Sequence, residues 1–209
     1  TVNLDLEKDE MKEFETKPYS YENQFDAGAG NYRLTVVVSS AADTFGKYEA
    51  PLQIDPYDGK ELSLGGVALT NSIQRLADIP MDLDSALLED RTPLVVKGMQ
   101  INPSPSNQFK STDKVALYTE VYEPLLTSAK PPEIVAGYAI MDRNSGKVLF
   151  KTGALRLDDY IQKGSPMVPV GLEINVKDLP PGSYELVLMA VDGAGHHAKN
   201  REVLFDITK

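Results

Sequence analysis

The chain has 209 residues, 42% of them hydrophobic and 25% charged, the balance of a globular protein with enough apolar material for a core. Its 31 acidic against 21 basic residues give a formal charge of −10, which argues against nucleic acid and anionic membrane surfaces as partners, since both require clustered positive charge. Cysteine is absent, excluding disulfides, thiolate metal sites and cysteine nucleophiles, and the only two histidines are adjacent, His196 and His197.

Taken in chain order, the dominant pattern has period two. Val2, Leu4 and Leu6 alternate with polar neighbours, as do Tyr32, Leu34, Val36 and Val38. Leu62-Ser63-Leu64 and Val67-Ala68-Leu69 follow as one opening strand, and residues 82–90, with Leu83, Leu87 and Leu88, are the one stretch of helical character. Val115, Leu117, Thr119 and Val121 alternate next, and residues 134–141 and 148–151 predict a hairpin about the Asn144-Ser145-Gly146 turn. Tyr184, Leu186, Leu188 and Ala190, then Val203, Phe205 and Ile207, close the chain. Alternation at this period buries one face of a sheet. Asp58-Gly59, Pro180-Pro181-Gly182 and Asp192-Gly193 are turn signals, and the prolines of residues 102–105 and 130–132 place those stretches in loops. No apolar run approaches the roughly 18 residues of a spanning helix, so membrane insertion is not expected.

The strand pattern repeats. Residues 30–38, GNYRLTVVV, match residues 182–190, GSYELVLMA, and each copy is followed by a second strand, ending Leu52-Gln53-Ile54 and Phe205-Asp206-Ile207. Two such strand pairs about 150 residues apart predict tandem immunoglobulin-like β-sandwiches in an all-β chain. The boundary falls at residues 57/58: a small or incomplete first unit, 1–57, of about four strands, and a larger second unit, 58–209. A start within a larger parent chain would account for the meagre first unit. The tyrosine after each glycine turn is expected in a corner role, ring buried and hydroxyl bonded to nearby backbone.

These residues carry a resemblance. The Gly-x-Tyr-x-Leu strand, a loop around Phe45-Gly46, the Leu52-Gln53-Ile54 strand, residues 62–69, Ile101-Asn102-Pro103 and residues 109–123 together resemble the C-terminal β-rich region of acidobacterial proteins with a von Willebrand factor A–related domain. The tail of GWxTD-domain proteins is similar. The resemblance implies immunoglobulin-like, extracytoplasmic modules, periplasmic or secreted, with any signal segment outside this sequence. No von Willebrand A domain lies in the chain, so that domain's metal-adhesion motif is missing.

Candidate chemistry is sparse. His196 and His197 with Asp192 could suggest metal, but neighbours in extended chain point opposite ways. Asp55 with Asp58, Asp82 with Asp84, and Asp158 with Asp159 lack the spacing of a calcium loop. Glu120 and Glu123 differ in strand parity and cannot flank one glycosidic bond. Residues 28–33 imitate a phosphate loop but lead into a strand, and there is no nucleophile elbow. What remains is Tyr118, Glu120 and Tyr122 on one strand face, an aromatic row of the kind that stacks on sugars or peptides.

The sequence therefore reads as a non-catalytic extracytoplasmic module, spacer or protein-interaction surface of a larger bacterial protein, with no cofactor and no metal. Its partner is another protein or the rest of a parent chain. The alternative is a carbohydrate- or peptide-binding module using Tyr118, Glu120 and Tyr122.

Overall fold

The computed structural model describes residues 24–40, 44–78 and 94–209. The expected strand at 1–6 and the helical stretch at 82–90 lie outside the described residues. Among the described residues regular structure is all β, apart from short 3-10 turns. In chain order the strands are β1 (Gly30–Ser40), β2 (Thr44–Ile54), β3 (Ser63–Leu64), β4 (Ala68–Thr70), β5 (Ser72–Arg75), β6 (Leu94–Val96) and β7 (Met99–Asn102). There follow β8 (Gln108–Lys110), β9 (Val115–Tyr122), β10 (Ile134–Asp142), β11 (Val148–Lys151), β12 (Leu155–Arg156), β13 (Met167–Ile174), β14 (Gly182–Asp192) and β15 (Arg201–Thr208).

Two sheets form a sandwich. One runs β13–β9–β3, with β4 also on β9; the other runs β11–β10–β14–β15–β8, with β12 also on β10. Among the described residues every pairing is antiparallel except β15–β8, where Ile207 lies beside Phe109 in parallel. Alternation sets the buried faces. Val115, Leu117 and Val121 of β9 lie across from Ile174, Leu172 and Val168 of β13. They pack in one cluster with Ile140, Tyr184, Leu186, Leu188 and Phe205 of the other sheet. Pro169 sits in β13, an edge strand, where its missing N–H leaves no gap in the ladder. The hairpin expected at 134–151 forms, with Asp142 accepting the turn's Ser145 N–H at 2.7 Å.

A third sheet, β5–β7–β6, covers the outer face of β9. Val96 and Ile101 pack there against Tyr118 in a second buried cluster. β6 and β7 are joined by Lys97-Gly98, with φ of 49° and 74°, the two positive values of a tight hairpin turn. Gly171, paired with Tyr118, makes room for this layer: a Cβ there would stand 2.8 Å from Val96 Cγ1. β9 is thus enclosed on both faces, which explains its near-continuous apolar sequence.

The first unit's described part is a lone hairpin, β1 with β2, in unbroken register from Gly30↔Ile54 to Ser40↔Thr44. Phe45-Gly46, expected in a loop, instead lies inside β2 opposite Ser39 and Val38, because the strands pair almost to the chain reversal. The repeat extends to register: Gly182 faces Ile207 and Tyr184 faces Phe205, as Gly30 faces Ile54 and Tyr32 faces Leu52. It extends to the corner bond as well. Tyr32 donates to the Gly28 carbonyl at 2.9 Å and Tyr184 to the Pro180 carbonyl at 2.6 Å, each four residues back.

Candidate functional site

Tyr118, Glu120 and Tyr122 alternate along β9 and share its outer face. The structure brings their polar ends together. Tyr118 donates to Glu120 Oε1 at 3.0 Å, and Tyr122 donates to Glu120 Oε2. Both carboxylate oxygens are thereby engaged. Burial raises both phenols well above the ordinary tyrosine value, and the Glu120 carboxylate adds to this through its charge and its hydrogen bond, so both stay protonated donors. Tyr118 is only 6% exposed beneath the third sheet. Tyr122 is half-buried, and the exposed Tyr57 ring lies on it at 4.8 Å and a 45° tilt. The arrangement ties the third sheet, β9 and the inter-unit segment into one contact region, with no ring face of Tyr118 left for a ligand.

A second polar group lies beside it. Asp55, immediately after β2, accepts from Arg201 and from Lys199, the latter at 3.2 Å. The same Arg201 donates through Nε and Nη2 to the Leu64 carbonyl at 2.8 and 2.7 Å. One guanidinium therefore bridges β15, β3 and the segment that leaves the hairpin. Arg201 and then Lys199 hold the Asp55 carboxyl below its ordinary value. Tyr57 and Arg201 were not singled out in the sequence. Asp55 and Arg201 are 146 residues apart, and neither sits in a motif.

Of the remaining candidates, Asp82 and Asp84 lie outside the described residues, and the others serve the backbone or pair with neighbouring cations. Asp192 accepts the N–H groups of Ala194 and His196 at 2.9 and 2.8 Å and bonds His196 Nδ1 at 2.7 Å. It closes the β14–β15 loop, while His197 forms a bridge to Val191. Among the described residues no group of three or more His, Asp and Glu is arranged to hold a metal ion. Glu123 is buried and caps the 3-10 turn Pro124–Thr127, its Oε1 accepting the Leu125 N–H at 2.8 Å. Asp158 pairs with Arg156 at 2.7 Å, and Arg156 also reaches Glu133. Asp58 receives the Lys60 N–H and pairs with its ammonium at 3.1 Å. Gly28 to Arg33 lead into β1, with the Gly28 carbonyl occupied by Tyr32. Lys97 stands 3.8 Å above the Tyr160 ring, pinning the third sheet to the sandwich. A cleft at one end of the sandwich is lined by Asp142, Asn175, Asp178 and Tyr184, and its Asp142 carboxylate is taken by Ser145. No helix among the described residues is long and apolar enough to cross a membrane. No protein-family model matches the chain, and no curated protein matches it.

Proposed function

We propose that the chain is a non-catalytic module of an extracytoplasmic bacterial protein, an immunoglobulin-like sandwich that works as a spacer or protein-interaction surface. The observation that carries this reading is the repeated hairpin: what recurs between the two units is register, a turn glycine and a tyrosine corner bond. These are packing features, and no reactive group recurs with them. Two of the candidate acid–base groups support the same reading, since Glu120 is taken by two tyrosines and Asp192 by its own loop. Catalysis would need such groups aimed at a reacting atom. The immunoglobulin-like description rests on the tyrosine corner and on the parallel β15–β8 closure of a sheet that is otherwise antiparallel. The partner is the remainder of a parent chain or a separate protein. The carbohydrate or peptide alternative has no observation to favour it, because Tyr118 is covered.

The test is a panel of esters, peptides and glycosides incubated with the purified chain. No turnover above a heat-denatured control is expected. Hydrolysis abolished by a single Asp or Glu substitution would overturn the reading.

A further inference from the structure

The segment between β2 and β3 passes over the end of β9, and side chains alone hold it there. Residues 56–61 are all exposed, and beyond them Leu62 enters the core. Among the described residues no main-chain hydrogen bond joins residues 55–61 to the sandwich, and the ladder to β9 begins at Ser63. Two side-chain contacts do the holding. Tyr57 lies on the Tyr122 ring at 4.8 Å, and Asp55 pairs with Arg201 and, at 3.2 Å, with Lys199. The segment's other carboxylates do not add a third. Asp58 turns back on Lys60 of the same segment, and Glu61 acts on His196 through its charge alone.

The two contacts answer to different conditions. Arg201 is fixed independently of Asp55, because its Nε and Nη2 donate to the Leu64 carbonyl at 2.8 and 2.7 Å and leave Nη1 for the segment. Water reaches the ion pairs, so salt screens them. The ring contact carries no net charge, and dissolved salt leaves it largely alone. We propose that residues 55–61 are a strap over the Tyr122 ring, held shut by the charge of Asp55 on Arg201 and Lys199 and opened when that charge is lost or screened. Without the carboxylate, two cations stand side by side and nothing draws the segment down. An open strap stays tethered by β2 and by Leu62, and it bares the face of Tyr122 beside the Glu120 carboxylate. The outer face of β9 is thereby gated at its open end, while Tyr118 stays covered by the third sheet.

The chain contains no tryptophan, so Tyr57→Trp in the 209-residue chain gives a single reporter on the strap. Quenching by acrylamide, which is uncharged and unaffected by screening, reads how open position 57 is. Raising salt from about 0.01 to about 1 M, which shortens the screening length from about 30 to about 3 Å, should raise the quenching constant about 1.5-fold or more. Asp55→Asn on the same background should be as strongly quenched at low salt, with no further rise at high salt. Asp55→Glu should restore the shielding, and Asp58→Asn should keep the salt response of the parent. The cooperative melt should survive in every variant, because the core begins at Leu62. Quenching indifferent to salt in the Tyr57→Trp parent would overturn the proposal, and that arm needs no change at Asp55. So would an Asp55→Asn variant as shielded as the parent, or one that still responds to salt. A lost cooperative melt in Asp55→Asn would also overturn it, making the ion pairs part of the fold and not a releasable clasp. The non-catalytic reading stands apart from all of these, because it falls only on turnover.

Discussion

Tyr184 and Tyr32 make the same bond in unlike surroundings, and the difference sets what each hydroxyl contributes. Tyr184 is 1% exposed, and the Pro180 carbonyl is its partner; Tyr32 is 43% exposed, where water replaces the bond. Tyr184→Phe should lower stability by about 1 kcal/mol, and Tyr32→Phe by less than about 0.5, since only a buried donor's loss goes uncompensated. In a chain of this size about 1 kcal/mol moves the melting temperature by roughly 2–4 °C, so thermal melts of the two variants separate the cases. Asp192 and His196 give a pH signature. Burial opposes ionisation of Asp192, but the His196 ring and the N–H groups of His196 and Ala194 outweigh it and hold its carboxyl below the ordinary 3.8. The same carboxylate raises the His196 imidazole above 6.5. The histidine's contribution is therefore complete below 6.5 and lost as pH rises through its raised value. The aspartate's contribution is present above 3.8 and lost as pH falls through its lowered one. Melting temperature should be highest between those limits and fall on the alkaline side. In His196→Gln the alkaline decline attributable to this pair should vanish, and comparing the two melt-against-pH curves checks it.

At the scale of elements, the third sheet depends on one absent side chain. Val96 of β6 enters the space above Gly171 of β13, where an added Cβ would meet it at 2.8 Å. Gly171→Ala should destabilise by about 1–3 kcal/mol through overpacking, and Val96→Ala in the same chain should recover part of that. A double-mutant cycle on melting reads the coupling directly. This sheet is also where the sequence was least legible. β14 and β15 show clean alternation because one face is buried and the other wetter, β1 shares their pattern although its side chains are largely exposed, and the Asn144-Ser145-Gly146 turn marks its hairpin. β5 reads Ser-Ile-Gln-Arg, exposed throughout, and β6 spans three residues, too short for any period to register. The Tyr118, Glu120 and Tyr122 row was legible as a shared face, because parity alone places it. What covers that row comes from Val96, Ile101 and Tyr57, and nothing local in β9 encodes them.

For the whole molecule, every buried hydrophobic side chain among the described residues lies between Leu62 and Ile207. Among the described residues, the apolar burial that offsets chain entropy therefore belongs to the second unit, 58–209. Among the described residues, the segment that leaves the hairpin is tied to it by the Asp55 pairing with Arg201 and Lys199 and by the Tyr57 ring on Tyr122. Neither is a large term. The Lys199 side chain is 70% exposed and water screens it, the Arg201–Asp55 pair, 26% and 21% exposed, is still reached by solvent, and a tilted ring pair contributes about 0.5–1.5 kcal/mol. Removing residues 1–57 should thus leave a fragment that melts cooperatively within about 5 °C of the full chain. Residues 24–57 alone should show no cooperative melt, because an isolated two-stranded hairpin is at best marginal in water. The 58–209 fragment should also lose protection in residues 58–62, since Asp55 no longer holds Arg201 where it bridges to the Leu64 carbonyl. Calorimetry on both fragments, with hydrogen exchange on the larger, is the measurement. A larger fragment that fails to melt cooperatively would mean that the hairpin's two contacts are integral to the sandwich, and that the stabilising core does not end where the buried residues end.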